Sequence, residues 1–192
     1  MNRIDQLLAN FRRHIALSPR TNLPLSQRVW FVVYPPEEER RIVNRIPEFE
    51  YAAREERLGW LRIDFTGAFA DWMDTYDAEE RPSILADPEL TESYADPGFK
   101  DFLCDRLQSA ITSVPDNEAT NTLFAISGLV DLYDYVHVSD VLACLDERRP
   151  SVGALPGTLV VFFPGEREGN TYRFLGARTG WNYLATPIVA EG

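Results

Sequence analysis

The chain is predicted to be an α/β protein: one domain, built on a mostly parallel sheet of about five strands with helices on both faces. Three observations predict this. Apolar runs of strand length alternate with helical spacings along the chain, the signature of repeated strand-helix-strand crossovers. Two of those runs, 29–34 and 159–163, are apolar without a break, as strands buried on both faces are. At 192 residues, the chain is long enough for one continuous core and short enough not to need a second.

The elements follow in order. Ile4, Leu7, Leu8, Phe11 and Ile15 recur at three- and four-residue spacing, which predicts an amphipathic helix over 3–16. Residues 18–27, with Pro19 and Pro24, read as a loop. Val29–Tyr34 is the first strand. Pro35-Pro36 followed by Glu37, Glu38 and Glu39 predicts a helix start near Glu37, because proline suits the first turn and acids complement the positive end of the helix dipole. That helix should run to about Leu58, kinked or broken at Pro47, and Gly59 should stop it. Residues 60–65 are the second strand, and Thr66 is the expected cap of a helix bearing Phe69, Trp72, Met73 and Tyr76. Three prolines and many acids between 78 and 98 predict an exposed connection or a loose helical excursion. Phe99–Val114 is helical, 122–127 a third strand, 128–138 a loop, and Ser139 the cap of a further helix. Residues 159–163 and 183–189 are the fourth and fifth strands.

Composition narrows function. Thirty Asp plus Glu against nineteen Lys plus Arg give a net charge of −11, with Lys100 the single lysine. An acidic surface repels phosphate backbones, so direct nucleic-acid binding is disfavoured. Arg12-Arg13, Arg40-Arg41 and Arg148-Arg149 are the local exceptions, read as solvated helix faces with ion pairs. Cys104 and Cys144 lie far apart without CxxC or Cys/His spacing and are expected to be buried free thiols. With no export signal and no long apolar segment, a cytoplasmic location is expected and membrane association is not.

Catalytic and cofactor motifs are absent. Ligands of open parallel sheets sit beyond the carboxyl ends of the strands, here the segments after Tyr34, Phe65, Ser127 and Phe163. Ser127-Gly128-Leu129-Val130 has neither the glycine spacing nor the lysine of a phosphate-binding loop, and lacks the pattern of a serine nucleophile. His14 and His137 are the only histidines. His137 is assigned a structural or surface role. Asp131, Asp134, His137 and Asp140 recur every three residues and read as a solvated acidic stripe rather than as metal ligands. No catalytic residue, cofactor or metal is expected.

The densest segment is FFPGEREGNTYRF, 162–174, followed by Gly180-Trp181-Asn182-Tyr183. It is read as a constrained loop over Pro164–Arg173 forming a binding edge, with Glu166, Arg167, Asn170, Tyr172, Arg173 and Trp181 as partner-binding residues and the two arginines as anchors; the alternative is a tight turn whose glycines only supply positive φ, with Arg173 paired internally with an acid such as Glu166.

Three blocks together resemble the BrxB family of BREX (bacteriophage exclusion) loci. They are RVWFVVY at 28–34 with its continuation through Arg41, Gly59-Trp60 through Ala68-Phe69-Ala70-Asp71-Trp72, and 159–187 with its ordered Pro-Gly-Glu, Gly-Asn-x-Tyr-Arg and Gly-Trp-Asn-Tyr. The resemblance implies a part in phage restriction beside a DNA methyltransferase, a large ATPase and the alkaline-phosphatase-like protein PglZ, with PglZ as the direct contact. It carries over no catalytic residue. The expected function is therefore a non-enzymatic adaptor of that system; the alternative is a degenerate nucleotide- or nucleic-acid-binding domain in the same pathway.

Overall fold

The computed structural model describes residues 2–17, 23–24, 27–147, 155–176 and 181–190. The α/β class and the mostly parallel sheet are observed. The chain divides into two compact units, each discontinuous in sequence: Met1–Ile63 with Val114–Ser127 and Leu155–Gly192, and Asp64–Ser113 with Gly128–Ala154.

The first unit holds the sheet. Strands β1 (Val29–Tyr34), β2 (Gly59–Asp64), β3 (Thr122–Ser127) and β4 (Thr158–Glu168) are followed by β5 (Thr171–Phe174), β6 (Trp181–Asn182) and β7 (Thr186–Val189). Their main path runs β2-β3-β4-β1-β7, with β5 attached to β4 and β6 to β5. The β3-β4, β4-β1 and β1-β7 pairs are parallel. The fifth strand of the main path is thus 186–189 rather than 183–189. Every residue of β1 and of β3 is buried, which is why the sequence of β1 shows no polar alternation. Trp30, Val32, Ile63, Phe124, Ile126, Val160 and Phe162, the expected core of the sheet, are all buried.

Helices α1 (Arg3–Leu17) and α2 (Glu39–Glu55) supply one packed face. Leu7, Phe11 and Ile15 join Ile42, Ile46 and Phe49 against Val32, Val160 and Phe162 in one buried cluster. Polar contacts fix the register. Arg12 pairs with Glu55, Arg45 with Asp5 at 2.7 Å, and Asn10 Nδ2 donates to Val189 O at 2.7 Å. His14 stands edge-on to Trp30, with ring centroids 4.4 Å apart, and burial holds its pKa below the usual 6.5. Its role is packing.

The helix expected from Glu37 begins as a 3-10 turn, Pro36–Glu38, and α2 then runs through Pro47 without a break. Proline removes one backbone bond, but Ile46 and Phe49 on either side are fully packed, and tertiary burial of that face outweighs the local loss. Gly59 does not end the helix; it opens β2, where its N–H donates to Asn121 O at 2.9 Å. A short helix, α7 (Asp116–Ala119), precedes β3.

The second unit is helical: α3 (Ala68–Met73), α4 (Arg81–Ala86), α5 (Pro88–Tyr94), α6 (Lys100–Thr112) and α8 (Val138–Glu147), with a π turn at Ala95–Phe99 and a 3-10 turn at Leu129–Leu132. Three expectations are corrected here. Thr66 does not cap α3, since its Oγ1 and N–H both bond Asp64 Oδ1; Gly67, at φ 73, takes the cap position. Of the two expectations for 78–98, an exposed connection or a loose helical excursion, the second is observed: the segment is α4, α5 and the π turn, with most of its residues exposed. Asp87 accepts from the N–H groups of Glu89 and Leu90 while Pro88 opens α5, so the acids and prolines there start helices rather than prevent them. Ser139 lies inside α8 rather than capping it. Finally, Cys104 on α6 and Cys144 on α8 are buried but joined in a disulfide, with Cα atoms 5.8 Å apart. Their separation of 40 residues hides a proximity created by the packing of α6 on α8.

Aromatic rings organise this unit. Tyr135 stacks on Phe69 at 4.1 Å, and Phe99 meets Trp72 at 5.2 Å. Arg148-Arg149 lies outside the described residues.

Candidate functional site

The segment expected to be a partner-binding loop, Pro164–Arg173, is not a loop. It comprises the outer half of β4, a tight turn at Gly169-Asn170, and the first residues of β5. Parallel pairing of β4 with β1 ends at Pro164 opposite Tyr34. The strand then continues as one arm of an antiparallel hairpin, with Gly165 opposite Phe174, Glu166 opposite Arg173, Arg167 opposite Tyr172 and Glu168 opposite Thr171. Gly169 adopts φ 60, a left-handed conformation that glycine tolerates without cost. Strand β6 extends the hairpin, and Thr171 Oγ1 donates to Asn182 Oδ1 at 2.8 Å.

Strand alternation sorts the expected site residues onto two faces. Glu166, Glu168, Thr171 and Arg173 share one face, and the three charged side chains are exposed. Arg173 reaches Glu168 at 3.8 Å, rather than Glu166 directly opposite. Arg167 is on the other face with Tyr172 and Phe174. The two arginines, expected as joint anchors of one surface, are therefore separated by the strand itself. Asn170 sits exposed at the tip. Tyr172 is corrected: at 1% exposure it belongs to the core, packed 4.7 Å from Phe31 and 5.8 Å from Phe163. Burial pushes its phenol upward, partly opposed by Arg167. Trp181 opposes Tyr172 in register, and its side chain lies outside the described residues.

At the hairpin root, a cavity of about 340 Å³ opens at the carboxyl ends of β1 and β7, where open parallel sheets place ligands. Arg3, Tyr34, Pro35, Glu166, Arg167 and Val189 are among its lining residues. Tyr34 donates to Glu39 Oε2 at 2.6 Å, and burial followed by the Glu39 charge pushes its pKa well above the usual value. It stays protonated. Among the described residues its lining holds no Ser, Thr, Cys or His.

The other edges searched in the sequence are occupied by the protein itself. Ser127 is fully buried and accepts from Arg62 Nε at 3.0 Å. In the second unit, Thr66 N–H donates to Asp64 and Gly67 N–H to Asp131 at 2.6 Å. Carboxylates thus consume the backbone donors that a phosphate would need. Asp131, Asp134, His137 and Asp140 do not form one helical stripe, since α8 begins at Val138; among the described residues no group of acids, histidines or cysteines has metal-binding geometry. No helix among the described residues is long and apolar enough to cross a membrane.

Gly165 couples this site to the fold. A Cβ there would overlap the carbonyl oxygen of Arg173 and come within 2.6 Å of Phe163. Gly165→Ala is expected to cost about 1–3 kcal/mol by forced overpacking, measured by urea denaturation. Gly169→Ala, where nothing lies within 4 Å, should cost only about 1 kcal/mol for its positive φ. Equal losses at the two positions would mean that β4 and β5 are not in close register at Gly165.

The tight turn weighed as the alternative for this segment is observed, with Gly169 at positive φ and Arg173 paired internally, though with Glu168 rather than Glu166; the strand pairing on either side of it and the face separation it imposes were not foreseen. The signal was present as Gly169-Asn170 between polar-apolar alternations, masked by the apolar-only pattern of the preceding run. The chain matches no protein-family model, no curated protein and no solved structure.

Proposed function

We propose that the chain is a cytoplasmic, non-enzymatic adaptor of a BREX-type phage-defence system that docks a PglZ-like partner through the exposed face of the β4–β5 hairpin. The observation that carries this reading is the presentation of Glu166, Glu168 and Arg173 on one face of a two-stranded element rooted in the central strand of the sheet. Rigid strands hold side chains in place before binding, which reduces the entropy lost on association. Arginine adds a planar fork suited to a partner carboxylate. The resemblance of residues 159–187 to the BrxB family supplies the biological setting. The competing nucleotide-binding reading gains nothing from the β2–α3 turn, whose amides already serve Asp64 and Asp131.

The test is co-purification with the PglZ-like partner. Arg173→Glu is expected to abolish capture while changing stability by under about 0.5 kcal/mol, as exposed substitutions do. Arg167→Glu, on the opposite face, should leave most binding intact. Capture that survives Arg173→Glu places the interface elsewhere; heat released on titrating ATP or duplex DNA at low salt would favour the nucleotide or nucleic-acid reading instead.

A further inference from the structure

The second unit carries a groove that neither the hairpin nor the sheet edge uses. One wall is α5, with Leu85 of α4 beside it; the other is the segment 133–137 leading into α8. A hollow of about 780 Å³ is lined by Glu89, Glu92, Tyr133, Asp134, Val136 and His137, among others. A second of about 390 Å³ shares Glu89, Glu92, Asp134 and Tyr135 with it and adds Leu85 and Pro88. The floor is fixed, because Tyr135 is stacked on Phe69 and meets Phe99 edge-on at 6.0 Å.

Two properties of this groove occur together. Its walls are partly apolar and open to solvent: Leu85 is 53% exposed and Tyr133 46%, with Leu90 and Tyr94 also exposed on α5. Its charges are of one sign. Glu89 and Glu92, three residues apart, share a face of α5, and Asp134 faces them from the other wall. Among the described residues no Lys or Arg lines either hollow, and His137 is the one basic side chain in the lining. Elsewhere among the described residues the arginines pair with acids such as Asp5, Glu48, Glu50, Asp71 and Asp74, but none pairs with these three. The carboxylates do not converge on a point with metal-binding geometry; they are spread along an apolar trough. Separate cations on one chain, interleaved with apolar side chains, match that spacing better than a single ion. Phosphate-bearing ligands are repelled.

We propose that the groove between α5 and residues 133–137 is a docking site for a basic amphipathic peptide segment of a partner protein. Apolar side chains of the segment cover Leu85, Tyr133 and Val136, and its lysines or arginines meet Glu89, Glu92 and Asp134. This does not depend on the hairpin, so either surface can fail its test alone.

The experiment is fluorescence anisotropy of the full chain with a dye-labelled peptide of alternating Lys and Leu. Two further probes are a Glu/Leu peptide of equal apolarity and a Lys/Ser peptide of equal charge. Binding is expected for the first alone. Glu89→Gln with Glu92→Gln and Asp134→Asn should weaken it about tenfold, the factor expected of three partly exposed charge contacts. Leu85→Ser with Tyr133→Ser should weaken it comparably at unchanged net charge. Neutralising three exposed acids that line neither hollow, Glu56→Gln, Asp116→Asn and Glu118→Gln, should change affinity less than about twofold, since solvated charges that make no direct contact are screened by salt. Equal weakening by the two charge triples reduces the effect to net charge and overturns the site. So does indifference to the Leu85 and Tyr133 changes, or failure of the Lys/Leu peptide to bind.

Discussion

Replacing Phe162 with alanine is expected to lower the unfolding free energy by about 3–5 kcal/mol, the range for removing a fully buried phenyl ring. The position explains the size. Phe162 lies on β4, between β3 and β1 in the sheet, opposite Val32 in the parallel register. It is 1% exposed and meets Phe49 of α2 edge-to-face at 5.2 Å. Deleting it removes a ring at the contact of sheet and helix and leaves a cavity that the surrounding packed side chains can fill only in part. Ile188→Val on edge strand β7 should cost only about 0.5–1.5 kcal/mol. Guanidinium unfolding of both variants reads the difference, and a loss at Phe162 no larger than that at Ile188 would show that β4 is not the centre of the core.

The centre of the fold was legible because burial on both faces favours unbroken apolar runs in β1 and the inner half of β4. Val29–Tyr34 and 159–163 carry no polar residue, and both are strands with their expected core residues buried. Legibility fell where one residue type serves two purposes. The prolines and acids of 78–98 show no sustained helical period, yet Asp87 caps α5 and Pro88 is its first residue. Thr66 reads as a cap and instead ties back to Asp64.

The candidate site was legible in location but not in form. Glu166, Arg167, Asn170 and Arg173 are exposed as expected, but spacing along a chain presumed to be a loop does not report which side of a strand each residue takes. Alternation within β4 and β5 places Arg167 with buried Tyr172 and leaves Arg173 with the two glutamates. The groove of the second unit was hidden for a different reason. Glu89 and Glu92 lie some forty residues before Asp134, and only tertiary folding sets them across one hollow. The cysteine pair was hidden likewise.

That pair carries the second large expected effect. Cross-linking two positions 40 residues apart removes loop-closure entropy from the unfolded chain, a stabilisation of about 2–4 kcal/mol in typical cases. The oxidised protein is therefore expected to exceed its dithiothreitol-reduced form in stability by about that amount, and the loss should concentrate in α6 and α8, where hydrogen exchange can locate it. Denatured without reductant, the purified chain should show no reactive thiol, and after reduction, two. Cys104→Ala with Cys144→Ala gives the control, since it cannot be cross-linked and should be insensitive to reductant. In a reducing cytoplasm thiols are kept reduced, so the bond would form there only by exchange with an oxidant such as glutathione disulfide, whose S–S bond breaks as the protein's forms and which takes up the two protons and two electrons as two glutathione thiols. Both sulfurs are buried, with Cys104 at 1% and Cys144 at 2% exposure, and burial slows such exchange in either direction. Two reactive thiols in protein purified under oxidising conditions, or equal stability with and without reductant, would restore the expectation drawn from cysteine spacing that these are free, buried thiols.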